Sequence, residues 1–518
     1  MNFHHILLRS ALILAGILTT AHAALADQAS DLLAKHKAFV GWQFGDGTFS
    51  TLRLRETLRD SQQAIVRTTQ IVRAGVAYRS TSKEQKTGDV TDAGFTGRVL
   101  WATNRNGFTR QVVGDTEKAD IAFDILFNEG TTALLGVSEP SQVVDGQTYQ
   151  VVRVKADASA AIDLYIDPQT GSYKRAVIDP GGEYEETLDI LAYGDFMPGK
   201  KMITRWKYDN SQYIHERSDF QVNGSVTDDQ LHPPKQSAIW TFANNKPFPI
   251  KVTDDRIYVD ATVNGARGHF ILDTGASSGI LLTPDFVTRA RVKHVENSEA
   301  YGLAGSTRTT IDKVDKVEIG GNTLSNVIVT SLSSNFEERE RPDGLIGFDL
   351  FAAAIVTLDL DKQEMTIADP ATSVVDKNAG ISAVVDLSNQ IPTIPAKLNG
   401  SIDVNAMLDS GNPLEVLFGP ALINKYRLTM LVDQSVVGWL QSHPVMSGIG
   451  AGSEIEQCGK LQTISFGPIV YQQPPACESY SVGDFGERRV LVGFDFIKNF
   501  NYVFDYPEST LVLIPRKP

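Results

Sequence analysis

The spacing of apolar positions changes along this chain, and each change marks a different kind of element. In "SDLLAKHKAFV", Leu32, Leu33, His36, Phe39 and Val40 recur at helical spacing and share one face, with Ser30 or Asp31 placed to cap the helix. His36 on that face reads as a packed side chain rather than a ligand. From about residue 45 to 230 the period shortens to two. The stretches "TYQVVRVKA", "AIDLYIDPQTGSYKRAVI" and "KKMITRWKY" alternate apolar with polar residues, and Asp167 to Gly171 supplies the turn of a hairpin. One helix followed by a long antiparallel meander predicts a curved sheet wrapped on that helix. Pro233 and Pro234 then mark a boundary.

Beyond about residue 245 the chain repeats itself. "RIYVDATVNGARGHFILDTGA" (Arg256 to Ala276) and "IPTIPAKLNGSIDVNAMLDSGN" (Ile391 to Asn412) share a plan of strand, Asn-Gly turn and strand, ending in Leu-Asp-Thr/Ser-Gly. Asn264 and Asn399 lie 135 positions apart and Asp273 and Asp409 lie 136 apart, so a single residue is inserted between turn and aspartate. Downstream, "DGLIGFDLFAAAIVTLDLDKQEMTI" (Asp343 to Ile367) echoes "RVLVGFDFIKNFNYVFDYPESTLVL" (Arg489 to Leu513). One Asp-Thr-Gly is a common turn sequence. Two copies, each with the same upstream hairpin and the same apolar-apolar-Gly downstream, predict a duplicated β-domain.

These motifs resemble those of the retropepsin-like and pepsin-like aspartic peptidases over roughly residues 245 to 518. The matching residues are "DTGA" at Asp273 and "DSGN" at Asp409, with Leu345-Ile346-Gly347 and Leu491-Val492-Gly493 as the strands that cross behind each aspartate loop. The resemblance implies a single-chain, two-lobed site with Asp273 and Asp409 as its catalytic dyad. Two carboxyls about 3 Å apart cannot both ionise, so one serves as acid and the other as base toward a water. Thr274 and Ser410 are placed to support the pair through hydroxyl hydrogen bonds, and Gly275 and Gly411 through tight bends that bring amides close. "YGLAGSTRT" supplies a glycine-rich flap candidate with Tyr301, Gly302 and Gly305, and "SGIGAGS" (Ser447 to Ser453) occupies the equivalent place in the second half. The second motif departs from the family pattern, with Asn412-Pro413 where a small residue usually follows the glycine. Before the repeat, "DLYIDPQTGSYKRAVIDP" followed by "KKMITRW" resembles the LolA-like periplasmic lipoprotein-binding folds, which implies a half-barrel able to hold a lipid or apolar chain.

The expected fold is therefore mainly β: a helix plus curved antiparallel sheet, then two acid-protease-type barrel lobes. The expected domains are residues 27–235, 245–370 and 380–518, after a signal peptide at 1–26. That leader reads from Arg9, the apolar "ALILAGIL" and the small residues of "AHA" or "ALA", and it places the protein in the periplasm or outside the cell. A net charge of −14 leaves no basic field for nucleic acid. No stretch of the mature chain is apolar enough to span a membrane, and no Cys/His cluster has metal-ligand spacing. No cofactor is called for. The expected partner is a peptide or protein substrate, with lipid or lipoprotein as a partner of the N-terminal domain. Cys458 and Cys477 can pair in an oxidising compartment, and the sequence leaves that open. The alternative function is a non-catalytic periplasmic peptide- or lipoprotein-binding protein on a protease-like scaffold.

Overall fold

The computed structural model describes residues 28–516, apart from 87, 183, 210, 237, 244, 303–304, 337–339, 415, 429–430, 433–454 and 480–486. The expected signal peptide and the glycine-rich Ser447 to Ser453 therefore lie outside the described residues. The chain is mainly β and divides into two compact units. One comprises residues up to Leu100 and Gly114–His232, and the other Trp101–Val113 and Pro233–Pro518. No helix among the described residues is long and apolar enough to cross a membrane.

In the first unit, residues 28–40 form a helix, so Ser30 and Asp31 sit inside it and do not cap it. Its buried face is Ala29, Leu32, Leu33, His36 and Val40. His36 is packed, stacked on Tyr173 and hydrogen-bonded to Glu129 Oε2 at 2.8 Å and to the Gly171 carbonyl at 2.7 Å. A second helix, Gly114–Phe127, interrupts the region that alternation alone reads as strands. Its Ala119, Ala122, Leu126 and Phe127 join Leu32 and Leu33 in one apolar core against the sheet. The sheet is an antiparallel meander in two runs. The first is Thr51–Arg59, Ile65–Ala74, Ala77–Glu84 and Val90–Phe95, and the second runs from Gly136–Val144 through Ile214–Val222. Thr51–Arg59 pairs with Ile214–Val222 and joins the runs. Several bulges interrupt the ladders, one between Ile190 and Ala192, and such extra residues bend a sheet and increase its twist. The predicted hairpin is present, with Ile162–Ile166 paired to Tyr173–Ile178.

The second unit realises the repeat. Ile257–Val263 pairs with Ala266–Leu272, and Thr393–Leu398 with Ile402–Leu408. Asn264-Gly265 and Asn399-Gly400 turn these hairpins with positive φ at all four residues. After each aspartate loop comes a buried three-residue strand, Ile280–Leu282 or Val416–Phe418. Each lobe then adds a short helix, Pro284–Ala290 or Pro420–Tyr426, that opens on proline and closes on an arginine in the left-handed region. Both halves end in a hairpin, Ile355–Asp359 with Glu364–Ala368 and Phe500–Asp505 with Thr510–Pro515. The two hairpins meet edge to edge, Ile355 opposite Asp505, in one six-stranded sheet. A disulfide joins Cys458 and Cys477, which face each other on the neighbouring strands Ile455–Lys460 and Pro475–Ser479.

Trp101–Val113 belongs to this second unit although it lies far upstream of the rest of it. It is a hairpin, Trp101 opposite Gln111 and Thr103 opposite Thr109, and Phe108 is buried in the core of the aspartate-bearing unit.

Candidate active site

The local sequence explains why each aspartate ends a strand. Phe270, Ile271 and Leu272 are fully buried, as are Ala406 and Leu408 in the second half, so both strands run through the core. Ala266–Leu272 lies parallel to Gly344–Ile346, which is itself antiparallel to Ile280–Leu282. In the second half Ile402–Leu408 lies parallel to Arg489–Val492, which is antiparallel to Val416–Phe418. The chain thus leaves the strand, makes the aspartate loop and returns on the far side of a strand inserted between. That inserted strand braces the loop: Asp273 N–H donates to the Ile346 carbonyl and Asp409 N–H to the Val492 carbonyl, both at 2.9 Å. Side chains at Gly347 or Gly493 would overlap the loop backbone at Ala276 and Leu414, which is why the crossing strand ends in glycine.

The two loops meet face to face. A methyl at Gly275 would overlap the Asp409 carboxyl, and one at Gly411 would overlap the Asp273 carboxyl. Each carboxyl therefore lies over the glycine of the opposite loop, and the two are hydrogen-bonded to one another. Both aspartates are 9% exposed, so the pair is nearly withdrawn from water. Gly275 N–H donates to Asp273 Oδ1 at 2.8 Å and Gly411 N–H to Asp409 Oδ1 at 2.9 Å. Thr274 and Ser410 cross between the loops beneath the pair. Thr274 N–H donates to Ser410 Oγ and Ser410 N–H to Thr274 Oγ1, each at 3.0 Å. Thr274 Oγ1 donates to the Leu408 carbonyl and Ser410 Oγ to the Leu272 carbonyl, each at 2.7 Å. All four groups are buried, so each hydroxyl satisfies a donor and an acceptor that water cannot reach.

Burial pushes the Asp273 carboxyl well above the usual carboxylate range, and the charge and hydrogen bond of Asp409 push it further. Burial also raises Asp409, against the hydrogen bonds that it receives from Asp273 and from the Gly411 and Asn412 amides. The two carboxyls interact too closely to titrate independently. The buried Arg256 guanidinium acts in the opposite sense on both, favouring their charged forms. Arg256 sits just before its strand, and nothing in the sequence pattern marks it as near the pair.

Asn412-Pro413 leaves the second loop on the plan of the first. Ala276 N–H bonds to the Asp273 carbonyl at 3.2 Å, and Asn412 N–H to the Asp409 carbonyl at the same distance. The Asn412 side chain turns into its own loop, where Oδ1 accepts from Leu414 N–H at 3.0 Å. The structure thus brings together Asp273, Asp409, Thr274, Gly275, Ser410 and Gly411. It places Tyr301, Gly302 and Gly305 at the end of a long hairpin, Lys293–Gly302 paired with Gly305–Ile319 as far as Gly302 opposite Gly305. Residues 303–304 at its tip lie outside the described residues.

Comparison with known proteins gives a match over part of the chain. Residues 259–350, which include the first aspartate loop and its crossing strand, match the family described as aspartyl protease. Among curated proteins no match is found. Among solved structures, a DUF1329 family protein from Desulfovibrio piger is similar, with 11% identity and a TM-score of 0.29 over 40% of this chain and 97% of its own. A putative outer membrane lipoprotein-sorting protein domain from Vibrio parahaemolyticus is similar at 12% identity and a TM-score of 0.28, with the same coverages.

Proposed function

We propose that this chain is an exported aspartic-type endopeptidase whose dyad is Asp273 and Asp409. The observation that carries this reading is the face-to-face pair of buried carboxyls over crossed Thr274–Ser410 hydrogen bonds. A water between the carboxyls gives its proton to the ionised one while its oxygen attacks the peptide carbonyl carbon. The protonated carboxyl donates to the carbonyl oxygen, giving a neutral tetrahedral diol. The acquired proton then passes to the amide nitrogen as the C–N bond breaks, and the second carboxyl recovers its proton from a diol hydroxyl. The hairpin ending in Tyr301, Gly302 and Gly305 is the element proposed to cover an extended peptide.

The test is digestion of fluorescein-labelled casein, an unfolded polypeptide, by the full chain across pH. Asp273→Asn and Asp409→Asn should each lower the rate by about 10²–10⁴-fold, the range for loss of a positioned acid or base. The wild-type profile should be bell-shaped, because both limbs report the dyad. Asn variants as active as wild type would sink the assignment. A wild type that binds a hydroxyethylene peptide mimic but cleaves nothing would move it to non-catalytic peptide binding.

A further inference from the structure

The repeat offers an internal comparison at Gly-Phe-Asp. Asp349 and Asp495 hold the same position in the two halves, one residue into the short helices Phe348–Phe351 and Phe494–Ile497. Their surroundings differ. The Asp495 side chain is 30% exposed and paired with Lys498 at 2.5 Å, while Asp349 is 1% exposed. Asp349 is received by the upstream hairpin: Asn104 Nδ2 donates to its Oδ1 at 2.7 Å and Asn106 Nδ2 to its Oδ2 at 2.9 Å. On its other side the carboxylate lies against Gly279, where any side chain would overlap it. Gly279 closes the loop that starts at Asp273, and its carbonyl accepts from Gly347 N–H at 2.9 Å.

The hairpin is built for this contact. Asn104 Oδ1 accepts from Asn106 N–H at 3.0 Å and Phe108 N–H at 3.1 Å, which folds the turn and aims Nδ2 outward. The Asn106 carboxamide bonds both backbone groups of Ile328, donating to its carbonyl at 2.9 Å and accepting from its N–H at 2.7 Å. It acts as one more peptide unit on the edge of Asn322–Leu332. Ala238 N–H donates to the Asn106 carbonyl at 3.1 Å. Phe108 then anchors the turn in the core.

We propose that Asn104 and Asn106 are positioning residues for the dyad: through Asp349 they fix the Asp273 loop, whereas the matching Asp495 of the second half pairs with Lys498. This inference rests on the peptidase reading for its kinetic consequence and stands apart from it for the geometry. The test is a reciprocal exchange in the full chain. Asn104→Asp sets two carboxylates against each other, and Asp349→Asn sets two carboxamide donors against each other. The double variant N104D/D349N restores complementarity. Its carboxylate, now on the hairpin, still accepts from Asn106 N–H and Phe108 N–H and also accepts from the carboxamide that has moved to the short helix. On labelled casein, each single variant should lose up to about a hundred-fold in kcat with KM little changed, as expected for misplacement of reacting groups, and the double variant should recover most of it. Hydrogen exchange gives a readout that needs no activity. The peptide spanning 273–280 should lose protection in both single variants and regain it in the double, while the peptide spanning 402–408 stays unchanged. Inert wild type with this exchange pattern would overturn the peptidase reading and leave the clamp standing. Unchanged protection at 273–280, a loss spread equally over both halves, or a double variant no better than the singles would overturn the clamp.

Discussion

Asp349 is the residue at which burial and hydrogen bonding compete most visibly. Burial raises its pKa to about 6 against the ordinary 3.8, and the Asn104 and Asn106 carboxamides, the Arg105 charge and the Ile280 N–H only partly offset this. The sign follows from the raised value. Between pH 4 and 6 the folded state holds a proton that the unfolded state has lost, so stability is full below about 4 and declines as pH rises through about 6. A shift of that size corresponds to about 3 kcal/mol, at ~1.4 kcal/mol per unit. Urea unfolding of the second unit, followed by hydrogen exchange of its peptides, should show a steeper decline over this range in wild type than in Asp349→Asn, because the raised Asp273 and Asp409 carboxyls contribute in both proteins. Parallel pH profiles in the two proteins would contradict it. This carboxyl was visible in the sequence only as part of a repeated Gly-Phe-Asp. Its partners lie some 245 positions upstream, at a separation where local pattern has no reach. Asp273 and Asp409 were legible because chemistry and repetition mark the same residues.

At the scale of elements, the aspartate loops are held by reciprocal bonds that no single strand could supply. Thr274→Val keeps the shape but leaves Ser410 N–H and the Leu408 carbonyl buried without partners. The expected cost is about 2–6 kcal/mol, from roughly 1–3 kcal/mol for each of the two orphaned groups. Thr274→Ser copies the residue already present at 410 and should cost far less. Thermal unfolding of the two variants checks this, and equal losses would mean the methyl group matters as much as the hydroxyl. The hairpins, both aspartate loops and their crossing strands were readable because alternation, Asn-Gly turns and glycine at close approaches are local rules. The helix Gly114–Phe127 was not, because "TEKADIAFDILF" sits between strand-like segments and its apolar face forms only against the first helix and the sheet. The disulfide was undecided for a related reason, since register between two strands sets it and spacing does not.

For the whole molecule, the division of the chain does not follow its order. The second unit takes residues 101–113 and resumes only at Pro233. A fragment comprising Pro233–Pro518 retains the entire repeat and both aspartates, yet it lacks Phe108 in its core and leaves Asp349 buried without its carboxamides. Loss of a buried phenylalanine alone is worth about 3–5 kcal/mol. The fragment should unfold well below the full chain, or fail to unfold cooperatively, by calorimetry. A fragment as stable as the parent would refute this. The same arrangement sets a schedule for biosynthesis. The hairpin is made early, and its receiving surface, Ile328, Gly279 and Asp349, is made much later. Through that interval Phe108 and the two carboxamides lack the later-made groups they bury against, so the nascent chain carries an apolar side chain open to wrong contacts. A helper that shields the region around residues 101–113 until the later residues are made would act at a step where this molecule is open to misassembly.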